Sequence, residues 1–376
     1  MQVRKRKRKS STGRLILLSI NGLFVFFLLL SYLAPYLNPK HFWPIAFFGL
    51  AYPLLLILNL GFSLFWLLKR SKVALLSFFF ILVGYVPLKK HFGFHAQPSE
   101  TIIKQRDTTS VRILTYNVHL FRKDDQNPAP ETKSAITTLI QSVSPDIVCL
   151  QEFYTRKRGK YNTKLRLASD LGLAYSYFQP VFENDYEAFG LIILSRYPIK
   201  NAGCLPDYKA KKTLNRVIYA DIVKEKKVFR VYNIHLQSIG FQPRDYAFVK
   251  DVQNHAFEKT DVASTRRIGG QLKRAFYERS EQAKHVKEEI DRCRKPVIIT
   301  GDFNDTPLSY AVNTIASNLN NSFASKGQGW GITYNGDFPN FQIDYILSSK
   351  VFVVEHYQIL KKKLSDHYAV WSDLRL

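Results

Sequence analysis

The sequence predicts an α/β domain, a four-layer sandwich of two packed mixed β-sheets flanked by helices, preceded by an N-terminal transmembrane helical anchor. Three observations carry this. Residues 1–99 hold no Asp or Glu and contain three long apolar runs. From residue 111 onward, short β-branched runs alternate with helix-period segments and hairpins, the pattern of sheets covered by helices. Several of those runs end abruptly in a carboxylate, amide or imidazole, which collects polar side chains at a sheet edge.

The anchor comes first in the chain. All 30 acids lie beyond residue 99, whereas 13 of the 54 Lys and Arg lie before it, so the net charge of +24 overstates how basic the soluble part is. A basic cluster at residues 4–9 precedes uncharged runs at about 15–37, 42–68 and 73–88, with lysines or arginines between and after them. A span takes about 20 residues, so the three runs are expected as three transmembrane helices within a membrane anchor at 1–90. A linker at 91–110 and a soluble domain at 111–376 follow. The basic N-terminus should stay cytoplasmic. Three crossings then place the soluble domain outside the cytoplasm, on a multi-pass protein. If the third run does not cross, the domain lies inside. The runs carry no intramembrane acid or histidine, which argues against transport or proton relay.

In the soluble part, Val111–Tyr116 reads as a strand ending at Asn117, and Glu131–Val143 as a helix with Ile136, Leu139 and Ile140 on one face. Ile147–Leu150 is a strand followed by Gln151 and Glu152. Leu165–Leu171 is expected to be helical, and Tyr175–Pro180 and Phe189–Leu194 to be strands. Leu214–Val223 and Lys227–Ile234 read as a hairpin that ends at His235. Within the long excursion Gln237–Ile290, Arg266–Asp291 has a helical period and Phe241–Val262 is loop-like or weakly helical. Pro296–Thr300 is a buried strand that stops in Gly301-Asp302-Phe303-Asn304. A helix over Pro307–Ala316, with Thr306 as its cap, comes next. Strands Gln342–Leu347, carrying Asp344, then Val351–Ile359 and Ala369–Trp371 close the chain, with Asp366 and His367 just before the last.

The composition excludes several classes. Three widely spaced cysteines make neither a disulfide framework nor a zinc pattern. No glycine-rich phosphate loop, dinucleotide fingerprint or Gly-x-Ser-x-Gly elbow is present. What remains is a set of acids beside apolar residues, Glu152, Asp302, Asp344 and Asp366, joined by Asn117, His235 and His367. Buried acids need metal, hydrogen bonds or cationic partners. Oxygen ligands of this kind suit Mg²⁺ or Mn²⁺, and the set suits hydrolysis of a phosphate ester.

The motifs Thr115-Tyr116-Asn117-Val118, Gln151-Glu152, Gly190–Pro198, Asn233–Leu236, Gly301–Asn304, Ile343–Ile346 and Ser365–His367 occur in this order. Over about residues 110–376 the chain thereby resembles the endonuclease/exonuclease/phosphatase superfamily, which has the DNase I-like fold, and in particular membrane-anchored bacterial members of uncertain substrate. The resemblance implies a metal site at Glu152 with Asn117 and Asp366, occupied by Mg²⁺ or Mn²⁺. It implies that His235 and Asn304 contact phosphate oxygens. Asp302 would orient or activate the nucleophile or assist the leaving group. Asp344 would hold the tautomer of His367, which helps activate water or stabilise the transition state. Arg216 would touch the substrate, and water would attack directly. The chain departs from the pattern in reading Ser-Asp-His-Tyr-Ala at 365–369 and in its long excursion.

The expected partners are a phosphoester substrate and the lipid bilayer, with nucleic acid as an alternative substrate and no obligate protein partner. A lipid or head-group phosphodiesterase or phosphatase should have an aromatic rim near the bilayer, for which Phe241, Tyr246, Phe248, Trp330 and Tyr334 are candidates. An extracytoplasmic nuclease should have a basic groove, which residues 155–164 and 209–212 could supply. The non-enzyme alternative is an inactive membrane-tethered scaffold.

Overall fold

The computed structural model describes residues 12–99, 108–122, 128–158, 162–206, 215–255, 261–336 and 340–376. The basic run at 4–9 and the lysines at 209–212 lie outside the described residues.

The N-terminal part is five helices: α1 (Thr12–Leu33), α2 (Pro44–Leu50), α3 (Tyr52–Leu68), α4 (Ala74–Val83) and α5 (Tyr85–His91). Only α1 is by itself long and apolar enough to cross a membrane among the described residues. The runs 42–68 and 73–88 are not straight spans. The first breaks into α2 and α3 at 63° and the second into α4 and α5 at 71°, so up to three spans exist if each bent pair is one. Proline explains both breaks. Pro53, at the start of α3, has no N–H to continue α2. Pro87 in α5 would crowd the carbonyl four residues back, beside the weak helix former Gly84. Two amides tie the helices together: Asn21 Nδ2 donates to Ser77 Oγ at 2.6 Å, and Asn59 Nδ2 to the Phe24 carbonyl at 3.1 Å. Small polar links of this kind hold helices together where apolar burial has no counterpart in water.

The remaining elements are, in order, β1 (Phe92–Phe94), β2 (Ser110–Asn117), α6 (Pro130–Gln141), β3 (Ile147–Arg156), α7 (Thr163–Leu171), β4 (Tyr175–Glu183), β5 (Glu187–Ser195), β6 (Ile199–Cys204), β7 (Val217–Lys224) and β8 (Lys227–His235). Then come α8 (Pro243–His255), α9 (Val262–Arg292), β9 (Val297–Asp302), α10 (Tyr310–Ile315), β10 (Leu319–Asn321), α11 (Ser322–Lys326), β11 (Gln328–Trp330), β12 (Asp344–Ser349), β13 (Val353–Leu360) and β14 (Ala369–Arg375). Two six-stranded mixed sheets have the orders β13-β14-β2-β3-β5-β4 and β10-β12-β9-β8-β7-β6.

Their facing sides interdigitate through Ile113, Cys149, Ile193, Ile218, Phe229 and Ile298, all buried. The outer face of the first sheet packs Leu114, Val148 and Trp371 on Ile136 and Ile140 of α6. The outer face of the second packs Ile234, Ile299 and Leu347 on Ala283, Val286 and Ile290 of α9 and Val312 of α10. These are the four layers the alternation predicts. One polar link crosses the central core: Gln151 Nε2 donates to Asn233 Oδ1 at 2.6 Å, and Asn233 Nδ2 donates to the carbonyls of Leu150 and Ile192.

The structure corrects several local expectations. The stretch expected as a linker after the N-terminal helices is not unpaired throughout: β1 pairs with β11, Phe92 opposite Trp330. The region 241–262 contains α8, and α9 begins earlier than its apolar period indicates, at Val262, where Asp261 accepts from the Ala263 and Ser264 amides. The helix after Thr306 starts three residues late, because Ser309 caps it by accepting from the Val312 amide. The short edge strands β6 and β10 carry too few apolar residues for their period to register.

Candidate active site

Strand register assembles the site. On the parallel pair β8 and β9, His235 lies opposite Asp302. On the antiparallel pair β9 and β12, Asp302 lies opposite Asp344. Three neighbouring strands therefore bring one polar residue each to the same edge. The chain can come this close because residue 301 is glycine: its φ is +131°, and a Cβ there would lie 2.0 Å from the Ile234 carbonyl oxygen.

The other sheet contributes from the same end. Asn117 closes β2 opposite Gln151 of β3. Glu152 follows in a bulge, where the pairing of β3 with β5 slips between Leu150 and Phe153 and its own φ is +49°. A non-glycine residue in this region is strained, and bulges re-aim a side chain beside functional sites. Glu152 faces the cleft together with Asn117, His235, Asp302, Asn304, Asp366 and His367, in a cavity of about 280 Å³.

Asp302 is the hub. Its Oδ2 accepts from Asn117 Nδ2 at 3.1 Å and Asn304 Nδ2 at 3.2 Å, and its Oδ1 from the Asn304 amide at 2.8 Å. The same Oδ2 lies 3.6 Å from His235 Nε2 and 3.7 Å from His367 Nε2. Burial pushes the Asp302 carboxyl up from the ordinary carboxylate range; His367 and His235 oppose this and Asp344 adds to it. Behind it, His367 Nδ1 pairs with Asp344 Oδ2 at 2.9 Å. Burial works against charge on His367, but Asp344 and Asp302 outweigh it and hold the imidazole well above its usual pKa. The Asp344 amide donates to Thr333 Oγ1, which fixes the strand entry.

Glu152 and Asp366 differ from Asp302 and Asp344 in being a third exposed. Glu152 Oε1 is held by Asn117 Nδ2 at 3.4 Å and lies 3.9 Å from His235 Nε2. Asn117 Oδ1 meanwhile accepts from the His119 amide. Asn117 thus orients Glu152 more than it presents an oxygen of its own. Asp302, Asp344 and His367 also place one ligand atom each within 4.8 Å of one another, close enough to hold a metal ion. In that trio the Asp344–His367 hydrogen bond already uses two of the ligand atoms, whereas Glu152 and Asp366 leave carboxylate oxygens open to the cleft. The donor chemistry, oxygen-rich and free of thiolate, fits a hard divalent cation.

The structure brings together every expected site residue except Arg216. That residue does not line the main cavity and borders a recess of about 30 Å³ that His235 also lines. Of the aromatic candidates, Phe241, Tyr246 and Tyr334 line the cleft, while Phe248 and Trp330 pack beside the N-terminal helices. Sequence reasoning missed Arg279 of α9. It is buried, bonds Asp305 Oδ2 at 2.9 Å and the Gln237 carbonyl at 3.1 Å, and clamps the loop after Asp302. It also missed His119, whose Nδ1 is 3.7 Å from Asp366 Oδ1. Only the imidazole in the motif Asn117–Leu120 could have signalled the latter.

Comparison with known proteins follows the same outline. The model of the Endonuclease/Exonuclease/phosphatase family matches residues 114–367, and that of a domain of unknown function (DUF8431) matches residues 14–91. No curated protein matches the chain. Among solved structures, the chain is similar to an endonuclease/exonuclease/phosphatase from Beutenbergia cavernae DSM 12333, at 19% identity and TM-score 0.51 over 71% of this chain and 72% of that one. It is similar to another from Bacteroides vulgatus, at 16% identity and TM-score 0.51 over 71% and 99%. A mannosyl-6-phosphatase from Bacteroides thetaiotaomicron VPI-5482 aligns at 18% identity and TM-score 0.50 over 71% and 100%. At these identities the likeness is one of fold.

Proposed function

This chain belongs to the endonuclease/exonuclease/phosphatase family, whose members hydrolyse phosphoesters, and we propose that it is a Mg²⁺- or Mn²⁺-dependent phosphodiesterase or phosphatase acting on lipid or small phosphoester substrates. The observation that carries this reading is the Asp302 carboxylate, shared among two histidines and two asparagines at the common end of both sheets, with the open carboxylate of Glu152 beside it.

Glu152 and Asp366 would hold the metal, with Asn117 orienting Glu152. When bound, the metal neutralises charge on the phosphoryl oxygens. His235 and Asn304 line the cleft and would contact those oxygens, Asn304 by turning its Nδ2 away from the Leu236 carbonyl or Asp302 Oδ2 to which it now donates. Asp302, with its raised pKa, is suited to take a proton from the attacking water. The water oxygen bonds to phosphorus as the ester P–O bond breaks, and the proton that Asp302 took passes to the leaving alkoxide, which departs as the alcohol. His367, kept charged by Asp344, stabilises the negative charge that builds up. Arg216 has no role in this reading.

The anchor at 1–90 enters the same proposal as a multi-pass unit in which each bent pair is one span, with the catalytic domain at 111–376 on the extracytoplasmic side of a bacterial inner membrane. The basic flanks of the apolar runs support that orientation.

The test uses the full chain in detergent with Mg²⁺, Mn²⁺ or EDTA, beside Glu152→Gln. The substrates are plasmid DNA, single-stranded RNA, phospholipids, sphingomyelin and inositol phosphates. Metal-dependent release of a head group or phosphate, lost in the variant, is the expected result. Nicked plasmid without lipid turnover would replace the reading with a nuclease. A folded chain inert on every substrate would favour the scaffold.

A further inference from the structure

The cleft has a second, apolar end, and the N-terminal helices build part of it. Leu50, the last residue of α2, lines the same cavity as Asp302, His235 and Glu152. Leu272 and Phe276 of α9 and Ile239 and Phe241 of the preceding loop complete that wall. The position of Leu50 is fixed by packing on both sides. Ala46 of α2 sits in one buried cluster with Ile268, Leu272 and Phe276, and the Phe47 ring meets the Phe276 ring edge-on at 5.3 Å. Gly49 admits no side chain: a Cβ there would lie 2.8 Å from Ala34 Cβ and 2.9 Å from the Leu308 carbonyl oxygen. The break between α2 and α3 therefore rests directly on the loop that leaves the catalytic strand. From that break, α3 runs on with Leu54, Leu64 and Leu67 more than half exposed.

We propose that this apolar end is a subsite for the hydrocarbon next to the phosphate of a membrane lipid, so that the N-terminal helices form part of the substrate site and do not only hold the enzyme at a membrane. The proposal rests on the reading of the cleft as a phosphoester hydrolase and narrows its substrate to an amphiphile. A polar end lined by carboxylates and imidazoles and an apolar end lined by leucine and phenylalanine match the two halves of such a molecule. A sugar phosphate or a nucleotide would leave the apolar wall wet.

The experiment uses the full chain in detergent micelles and a series of alkyl p-nitrophenyl phosphates, from methyl to decyl. Water adds to phosphorus, the aryl P–O bond breaks, p-nitrophenolate is released and the alkyl phosphate remains. The expected result is that kcat/KM rises by about tenfold or more along the series, each buried methylene adding a few-fold. In Leu50→Glu the decyl-to-methyl ratio should fall towards one. A measurement on the unaltered chain guards against a misfolded variant. A decyl phosphate carrying a mid-chain diazirine, irradiated in EDTA, should label residues 44–50 and 268–276. Turnover that is flat with chain length, with label confined to the outer faces of α1, α3 and α4, overturns the subsite and leaves the hydrolase reading intact. Label on that wall without hydrolysis of any ester in Mg²⁺ or Mn²⁺ supports the subsite and overturns the hydrolase reading.

Discussion

Asp302 and Asp344 stand opposite each other on adjacent antiparallel strands, and the His367 ring joins them, Nδ1 to Asp344 at 2.9 Å and Nε2 to Asp302 at 3.7 Å. Two carboxylates this close are tolerable because the imidazolium between them is shared.

Asp344→Asn should keep the shape and remove the charge that holds His367 protonated. Its imidazole pKa should drop, as seen by NMR titration in EDTA, and kcat should fall by about 10²–10⁴-fold. The raised His367 pKa gives a definite pH dependence. Its contribution to stability is complete below the unfolded pKa of about 6.5 and disappears as pH rises through the higher folded value. Melting curves of wild type and variant should therefore converge at alkaline pH. A constant gap would remove His367 as the titrating group.

Gly301→Ala should be strongly destabilising although it adds one methyl group. The backbone angle is left-handed and the new Cβ has no room beside the Ile234 carbonyl. A loss of about 3–5 kcal/mol by urea unfolding is expected. A loss under 1 kcal/mol would mean that β9 and β8 can move apart there.

Arg279→Met strands the buried Asp305. Burial already raises the Asp305 carboxyl and Arg279 opposes it, so removing the guanidinium should raise it further. The single variant should lose about 3–5 kcal/mol, and adding Asp305→Leu should recover much of it. Additive losses in the pair would show that the two residues act independently.

Asn233→Leu removes the amide that donates to the Leu150 and Ile192 carbonyls and takes one acceptor from Gln151 Nε2, which keeps Thr115 Oγ1 at 3.0 Å. A cost of about 2–4 kcal/mol is expected. Gln151→Leu in the same background should give back part of it, because the buried amide that lost its acceptor across the sheets is then removed as well.

Much of the site was legible because a strand that stops in a polar residue is a local signal. Asp302, His235 and Asn117 were readable in this way, Asp344 was an acid in an apolar strand, and register does the rest. Glu152 was visible as an acid after an apolar run, but not as a bulge, since the slip depends on β5. Pairings across long separations were not legible. Arg279 meets Asp305 only after α9 has run its length beside the sheet. Arg216 stands just before β7 in sequence, and its place beside a separate small recess depends on how β7 and β8 pair. The breaks near Pro53 and Pro87 had their prolines in plain view, but lipid-facing helices tolerate proline, so a bend did not follow from the residue alone. That Leu50 reaches the cleft depends on that bend.

The junction between α5 and β1 has a kinetic consequence. Phe92–Phe94 hydrogen-bond to Gln328–Trp330, and Lys90 binds Asn313, directly after the last apolar helix. The catalytic body is therefore mounted on the helices, with no free tether at this point. With those helices in a bilayer, the cleft would be held at one height and one tilt. Its encounters with a substrate carried in that bilayer would become a search in two dimensions. Turnover would then follow the mole fraction of substrate in the surface and hardly respond to its concentration in the bulk, so dilution with an inert lipid would slow the enzyme where dilution with buffer would not.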